Sequence, residues 1–184
     1  GSYRLFTSLE KRGLLKLKVL DLTKAENHQE ILAIKPKLIW IETPSNPILR
    51  LTDIKAITSV AKQCGALVAA DNTFLSPALQ NPIQFGVDIV VHSTTKYING
   101  HSDVVGGAVI AATQELGDEL AWWANNIGIT GAPFDSYLTL RGLRTLNVRL
   151  KQHQENAFAI AQYLENSPFV SQVYYPGLAS HPQH

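Results

Sequence analysis

The 184-residue sequence has no methionine and a single cysteine, Cys64. One thiol cannot close an intrachain disulfide, which excludes the stapled frameworks of small secreted domains and fits a reducing, cytoplasmic compartment. Long apolar runs are absent too. The most hydrophobic stretches are short and broken by Lys55, Lys62, Asp71 or Asp88, so no membrane span and no membrane partner are expected. Nor is there an excess of charge: Lys plus Arg is 16, Asp plus Glu is 15, and the formal net charge is +1. That balance provides no basic stripe for nucleic acid and no chain-wide pull on anions, so any anion site must be local. The opening residues do not read as a secretory leader. There is no initiator methionine, and no closing element follows Pro182, Gln183 and His184, so the sequence is expected to be truncated at both ends.

What is present is enough apolar material, 45% of residues, to bury one sizeable core. Residues 38–42 form a short apolar run that empties into Thr43-Pro44-Ser45-Asn46-Pro47, the pattern of a buried strand followed by a proline-fixed loop. Thr52-Asp53 offers a helix cap, helical spacing runs through Ile54, Ile57, Ala61 and Cys64, and Gly65 stops it. Further buried strands are predicted at residues 67–70 and 87–92, ending at Asp71 and Ser93. A fourth, at 104–112, follows a turn short enough for it to run antiparallel. Continuous apolar character in these runs points to an α/β fold, a mostly parallel sheet with helices on both faces. Helical periodicity then covers 114–126 and about 134–166, the second helix predicted to bend near Gly142 because glycine weakens a helix interior. Residues 1–166 read as one domain, and 167–184 as the start of a connection to a further one.

In an open parallel sheet, ligands bind in the crevice beyond the carboxyl ends of the strands. Asn46, Asp71 and the run Ser93-Thr94-Thr95-Lys96 all lie just past such ends. Lys96 can condense with an aldehyde if its surroundings leave the amine nucleophilic. Asp71 can hold a proton on a ring nitrogen, and Ser93 and Thr95 offer hydroxyls that, with backbone amides, can hold a phosphate. Taken singly, each has an ordinary structural reading: a solvated lysine, a turn aspartate, hydroxyls that satisfy loop backbone, a turn-forming asparagine. Together they describe a pyridoxal phosphate site.

The joint pattern is more specific. Asp71-Asn72-Thr73-Phe74, then Ser93-Thr94-Thr95-Lys96-Tyr97 followed by Asn99-Gly100-His101-Ser102-Asp103-Val104, resembles the signature of the Cys/Met-metabolism family of pyridoxal-phosphate enzymes. The segments Ala121-Trp122-Trp123-Ala124-Asn125-Asn126-Ile127-Gly128 and Phe134-Asp135-Ser136-Tyr137 through Arg141-Gly142-Leu143-Arg144-Thr145-Leu146 resemble the bacterial branch of that family that performs gamma-replacement.

The resemblance implies the large domain of an aspartate-aminotransferase-like fold (fold type I), with pyridoxal 5'-phosphate as cofactor. It makes Lys96 the Schiff-base lysine and proton shuttle, pairs Asp71 with the pyridinium nitrogen, gives the phosphate to Ser93 and Thr95, and sets Asn46 near the phenolic oxygen and the substrate carboxylate. Thr94 stands where some relatives carry cysteine. The implied substrates are an O-acylhomoserine and cysteine, in a homo-oligomer, a tetramer built of dimers. Cystathionine lyases and homoserine sulfhydrylases use the same residues. The family's ring-stacking aromatic, its neighbour-subunit phosphate ligands and its carboxylate-binding arginine fall outside this sequence, so the chain alone is expected to bind cofactor weakly. A catalytically incomplete piece that serves only in assembly is the alternative of another class.

Three features are expected to be structural. His101 and Asp103 lack further ligands at metal spacing and read as a turn, so no metal site is expected. Trp122 and Trp123 read as packing or subunit-interface residues. Arg141 and Arg144 read as solvated surface residues before they read as anion binders.

Overall fold

The computed structural model describes residues 1–184. Four strands, β1 (Leu38–Glu42), β2 (Leu67–Asp71), β3 (Ile89–Ser93) and β4 (Gly107–Ala111), form one sheet in that order. β1, β2 and β3 are parallel and β4 is antiparallel to β3. Around them stand α1 (Ser2–Lys11), α2 (His28–Ile34), α3 (Ile54–Cys64), the single turn α4 (Ser76–Leu79), α5 (Gln114–Asn126), α6 (Pro133–Leu143) and α7 (Leu146–Glu165). None of these helices is long and apolar enough to cross a membrane.

The β1–α3–β2 unit forms as its sequence dictates. The Asp53 carboxylate accepts the Ala56 N–H at 3.0 Å and caps α3, and Gly65, at φ 69°, ends it in a left-handed turn. Ile54, Ile57 and Ala61 on one stripe of α3, with Ile31 of α2, cover Ile39, Ile41, Val68, Ala70 and Val90 of the sheet. Burying an aliphatic side chain contributes about 1.5–3 kcal/mol. The ion pairs Lys18–Glu30 and Arg50–Asp21 are partly exposed and each contributes at most about 1 kcal/mol. The apolar layer therefore holds the sheet, and the ion pairs do not. On the opposite face Phe6 of α1 meets Trp40 edge-on, with ring centroids 5.3 Å apart, so helices lie on both faces.

The structure redraws three predicted boundaries. β3 starts at Ile89 because Asp88 forms the entry link, its N–H donating to Val68 O at 3.0 Å and its carboxylate accepting Val68 N–H at 2.8 Å. β4 starts at Gly107 because Gly106 turns its amide toward the loop after β3, accepting from Thr94 N at 2.9 Å and donating to the Thr95 hydroxyl at 3.0 Å.

The predicted helix at 134–166 is two helices, α6 and α7, separated at Arg144 and Thr145. Gly142 matters here through close approach rather than flexibility. A Cβ at that position would collide with Asn99 O and lie 2.7 Å from Ile98 O. The Gly142 carbonyl also leaves the helical ladder, taken by Thr145 N at 3.2 Å and by the Arg149 guanidinium at 2.7 Å.

Candidate active site

The carboxyl ends of β1, β2 and β3 meet the amino end of β4 at one edge of the sheet. The register sets Glu42 beside Asp71, Asp71 beside Val91, and Ser93 beside Gly107. Side chains alternate along a strand, so Glu42, Asp71 and Ser93 share one face, the face of Trp40 and Ala69 opposite the apolar layer.

Each side chain is positioned by local hydrogen bonds. Asp71 Oδ1 accepts the Thr73 N–H at 3.0 Å, which fixes the half-buried carboxylate in a short turn. The Thr73 hydroxyl accepts Ser93 N–H at 2.7 Å and ties the end of β2 to the end of β3. Beyond Ser93 the chain folds through successive turns in which Lys96 N donates to Ser93 O at 3.3 Å, Asn99 N to Thr94 O at 2.9 Å and Gly100 N to Lys96 O at 2.8 Å. Lys96 projects from these turns as an exposed residue. Thr94 is buried, and the Thr95 hydroxyl reaches Gly106 O at 3.3 Å as well as accepting its N–H.

A cavity of about 990 Å³ opens at this edge. Asn46, Asp71, Ser93, Thr95 and Lys96 all line it, so the structure brings together the five residues expected at the cofactor site. The cavity is of the size that takes a small ligand, about 300–1,000 Å³. An amine, a carboxylate and two hydroxyls lining one cavity make a donor set that fits pyridoxal phosphate, an aromatic aldehyde carrying a ring nitrogen and a phosphate.

The cavity also contains groups that sequence reasoning missed: Glu42, Thr73, Tyr97, Arg149 and His153. Glu42 could have been found by the strand-end rule that found Asp71. Arg149 had no local signal for the site, because the contacts that bring it there are to the carbonyls of Tyr97 and Ile98, 52 and 51 positions away. Burial lowers the proton affinity of its guanidinium from the ordinary value. Arg141 and Arg144 are exposed and do not line the cavity. Their surface reading holds, and Arg149 is the arginine at the site.

One position beyond Val91, the sheet partner of Asp71, His92 is 4% exposed and its Nδ1 has no partner. Burial pushes its pKa below the ordinary histidine value, opposed by the negative charge of Asp71 and by the backbone of Asn72. His101 and Asp103 are taken up in a turn: His101 Nδ1 lies 2.8 Å from Asn99 O, and the Asn99 amide donates to Asp103 at 2.6 Å. No cluster of three or more His, Cys, Asp or Glu side chains has the arrangement to hold a metal ion. Trp122 and Trp123 meet edge-on at 4.9 Å but are 57% and 52% exposed, so they pack on each other without entering the core.

Comparison with known proteins gives a consistent result. The family model described as "Cys/Met metabolism PLP-dependent enzyme" matches residues 1–184. The chain is 54% identical to cystathionine gamma-synthase of Escherichia coli (strain K12) over 184 residues, covering 100% of this chain and 48% of the relative. It is 48% identical to cystathionine beta-lyase of Coxiella burnetii, again over 100% of this chain and 48% of the relative. The crystal structure of cystathionine gamma-synthase from Xanthomonas oryzae pv. oryzae, in complex with cystathionine, superposes with a TM-score of 0.97 at 60% identity and covers 99% of this chain and 47% of that one. The chain thus spans about half the length of the relatives it matches.

Proposed function

The chain belongs to the Cys/Met metabolism PLP-dependent enzymes, and from that premise we propose that the full-length protein makes cystathionine from an O-acylhomoserine and cysteine. The observation that carries this reading is the convergence of Lys96, Asp71, Ser93, Thr95 and Asn46 on one cavity, in a chain 54% identical to a gamma-synthase.

Pyridoxal phosphate, when bound, supplies an aldehyde that captures amines and a pyridine ring that accepts electrons. In the proposed assignment the Asp71 carboxylate holds a proton on the ring nitrogen, the Ser93 and Thr95 hydroxyls donate to the phosphate, and Asn46 serves the phenolic oxygen and the substrate carboxylate. Lys96 would hold the cofactor through its Nζ, and the Lys96 Nζ, when free, would move protons at the substrate's alpha and beta carbons. The bond between the gamma carbon and the acyl oxygen breaks, the carbon–sulfur bond to cysteine forms, and the thiol proton is balanced by the carboxylic acid released.

Residues 1–166 are proposed as part of the cofactor-binding domain and 167–184 as its connection onward. Support comes from the last helix ending at Glu165, with no helix or strand beyond it. Self-association, as a tetramer in the full-length protein, is proposed on the exposed apolar surface around Trp122, Trp123 and Ile127.

The test is an assay of the purified full-length protein with O-acylhomoserine plus cysteine, set against cystathionine alone. Cystathionine formation as the faster reaction is the expected result. The 48% identity to a beta-lyase favours cleavage as the second reading, and breakdown of cystathionine without synthesis would replace the proposal with it.

A further inference from the structure

The segment from Ser93 to Gly100 belongs to no helix or strand beyond its first residue, yet it carries Lys96. It is held from two sides. On one side Gly106 accepts from Thr94 N at 2.9 Å and donates to the Thr95 hydroxyl at 3.0 Å. On the other side Arg149 donates from one terminal nitrogen to Tyr97 O at 2.8 Å, and from the other to Ile98 O at 3.5 Å and Gly142 O at 2.7 Å. Its Nε donates to the Thr145 hydroxyl at 3.1 Å, which fixes the plane of the fork. Lys96 is the one residue between the two attachments. Its own backbone bonds, to Ser93 O and from Gly100 N, stay inside the segment and cannot anchor it to the rest of the fold.

From this geometry we propose that Arg149 is a positioning residue for Lys96, fixing the backbone just after it to the junction of α6 and α7. The proposal rests on the reading of Lys96 as the cofactor lysine. Arg149 lines the cavity, but its nitrogens are committed to carbonyl and hydroxyl oxygens of this chain, so it does not serve as a free anion clamp. The surroundings are shaped for the fork. A Cβ on Gly100 would fall inside the guanidinium, and one on Gly142 would collide with Asn99 O, so both glycines make room for the contact. A lysine cannot reproduce it, because an ammonium is a point donor without the planar fork.

The experiment compares the full-length protein with Arg149→Met, Arg149→Lys and Arg141→Met. Each is incubated with pyridoxal phosphate, trapped with borohydride over a time course and mapped by mass spectrometry. The pH midpoint of the visible absorption band and amide exchange across residues 97–100 are read alongside. Expected for Arg149→Met are at least tenfold slower trapping at Lys96, a displaced pH midpoint and faster exchange at 97–100. Arg149→Lys should fall between it and the parent, and Arg141→Met, at an exposed site, should match the parent. If Arg149→Met does not fold, Arg149→Lys carries the same comparison. A variant at position 149 that traps at the parent's rate with the parent's midpoint overturns the proposal. A parent that traps no pyridoxal at Lys96 fails on the reading of Lys96 itself, which is a separate result.

Discussion

Asn72 and Gln80 hydrogen-bond each other twice: the Asn72 amide donates to Gln80 O at 2.8 Å, and the Gln80 amide donates to Asn72 Oδ1 at 2.9 Å. Gln80 also donates to Thr43 O at 3.1 Å. The pair therefore fastens the turn after Asp71 to the start of the loop that carries Asn46. It adds a tie between two cavity residues, Asn46 and Asp71, that the pairing of β1 with β2 already brings to one edge.

Asn72 is 1% exposed, and truncating it takes both hydrogen bonds away from the partly buried Gln80, leaving its carbonyl without that donor. An unsatisfied buried polar group costs about 1–3 kcal/mol. Asn72→Ala is expected to lower the stability of the full-length protein by roughly 2–3 kcal/mol on that basis, measured by urea denaturation. A change below about 0.5 kcal/mol, the range of an ordinary surface substitution, would show that the pair does not fasten the two loops.

Gly142→Ala decides between two opposing effects. In an ordinary helix interior the change stabilises by up to about 1 kcal/mol. Here the new Cβ meets Asn99 O and Ile98 O, and overpacking costs about 1–3 kcal/mol. Net destabilisation is expected in a denaturation curve, whereas a gain would mean that the approach of α6 to the Lys96 segment is looser than the structure has it.

For Asp71, the proposed role is electrostatic. A hydrogen bond to a charged group is worth about 1.5–3 kcal/mol, and the upper end corresponds to roughly a hundredfold in rate. Asp71→Asn keeps the shape and removes the charge, so kcat of the full-length protein is expected to fall by about ten- to a hundredfold by that conversion. Glu42→Gln, beside it in the sheet but outside the assigned set, is expected to cost less than tenfold in the same assay.

His92 gives stability a dependence on pH. Its folded pKa lies below the unfolded value of 6.5, so between the two the unfolded chain binds a proton that the folded chain does not. Its contribution is fully present above pH 6.5 and is lost as the pH falls from there through the lowered folded value. Thermal unfolding at pH 7.5 and 5.5 should show a larger loss on acidification for the parent than for His92→Gln. Equal losses would remove His92 as the cause.

The parts of this fold that are legible in the sequence are those fixed by local signals. β1 and α3 stand where the apolar run of residues 38–42, the Asp53 cap and the Gly65 stop predict them. Asn46, Asp71 and Ser93 were legible because strand ends in a parallel sheet face a common edge, so a one-dimensional pattern suffices to bring them together. The bend expected near Gly142 lies two residues from the break between α6 and α7, but its cause was not legible, since Gly142 answers to carbonyls of Ile98 and Asn99 that no window around it contains. Arg149 was passed over for the same reason, while Arg141 and Arg144 on similar helical sequence remain on the surface. Long-range contacts decide such residues, and spacing does not reveal them.

Lys96, on the cavity it shares with Asp71, is the proposed lysine for pyridoxal phosphate. The direct measurement is the visible absorption spectrum of the full-length protein loaded with pyridoxal phosphate, before and after borohydride reduction, followed by peptide mapping. A visible band that reduction abolishes, with the pyridoxyl mass on the peptide containing Lys96, is the expected result. No visible band, or the mass on another lysine such as Lys55 or Lys62, would contradict it.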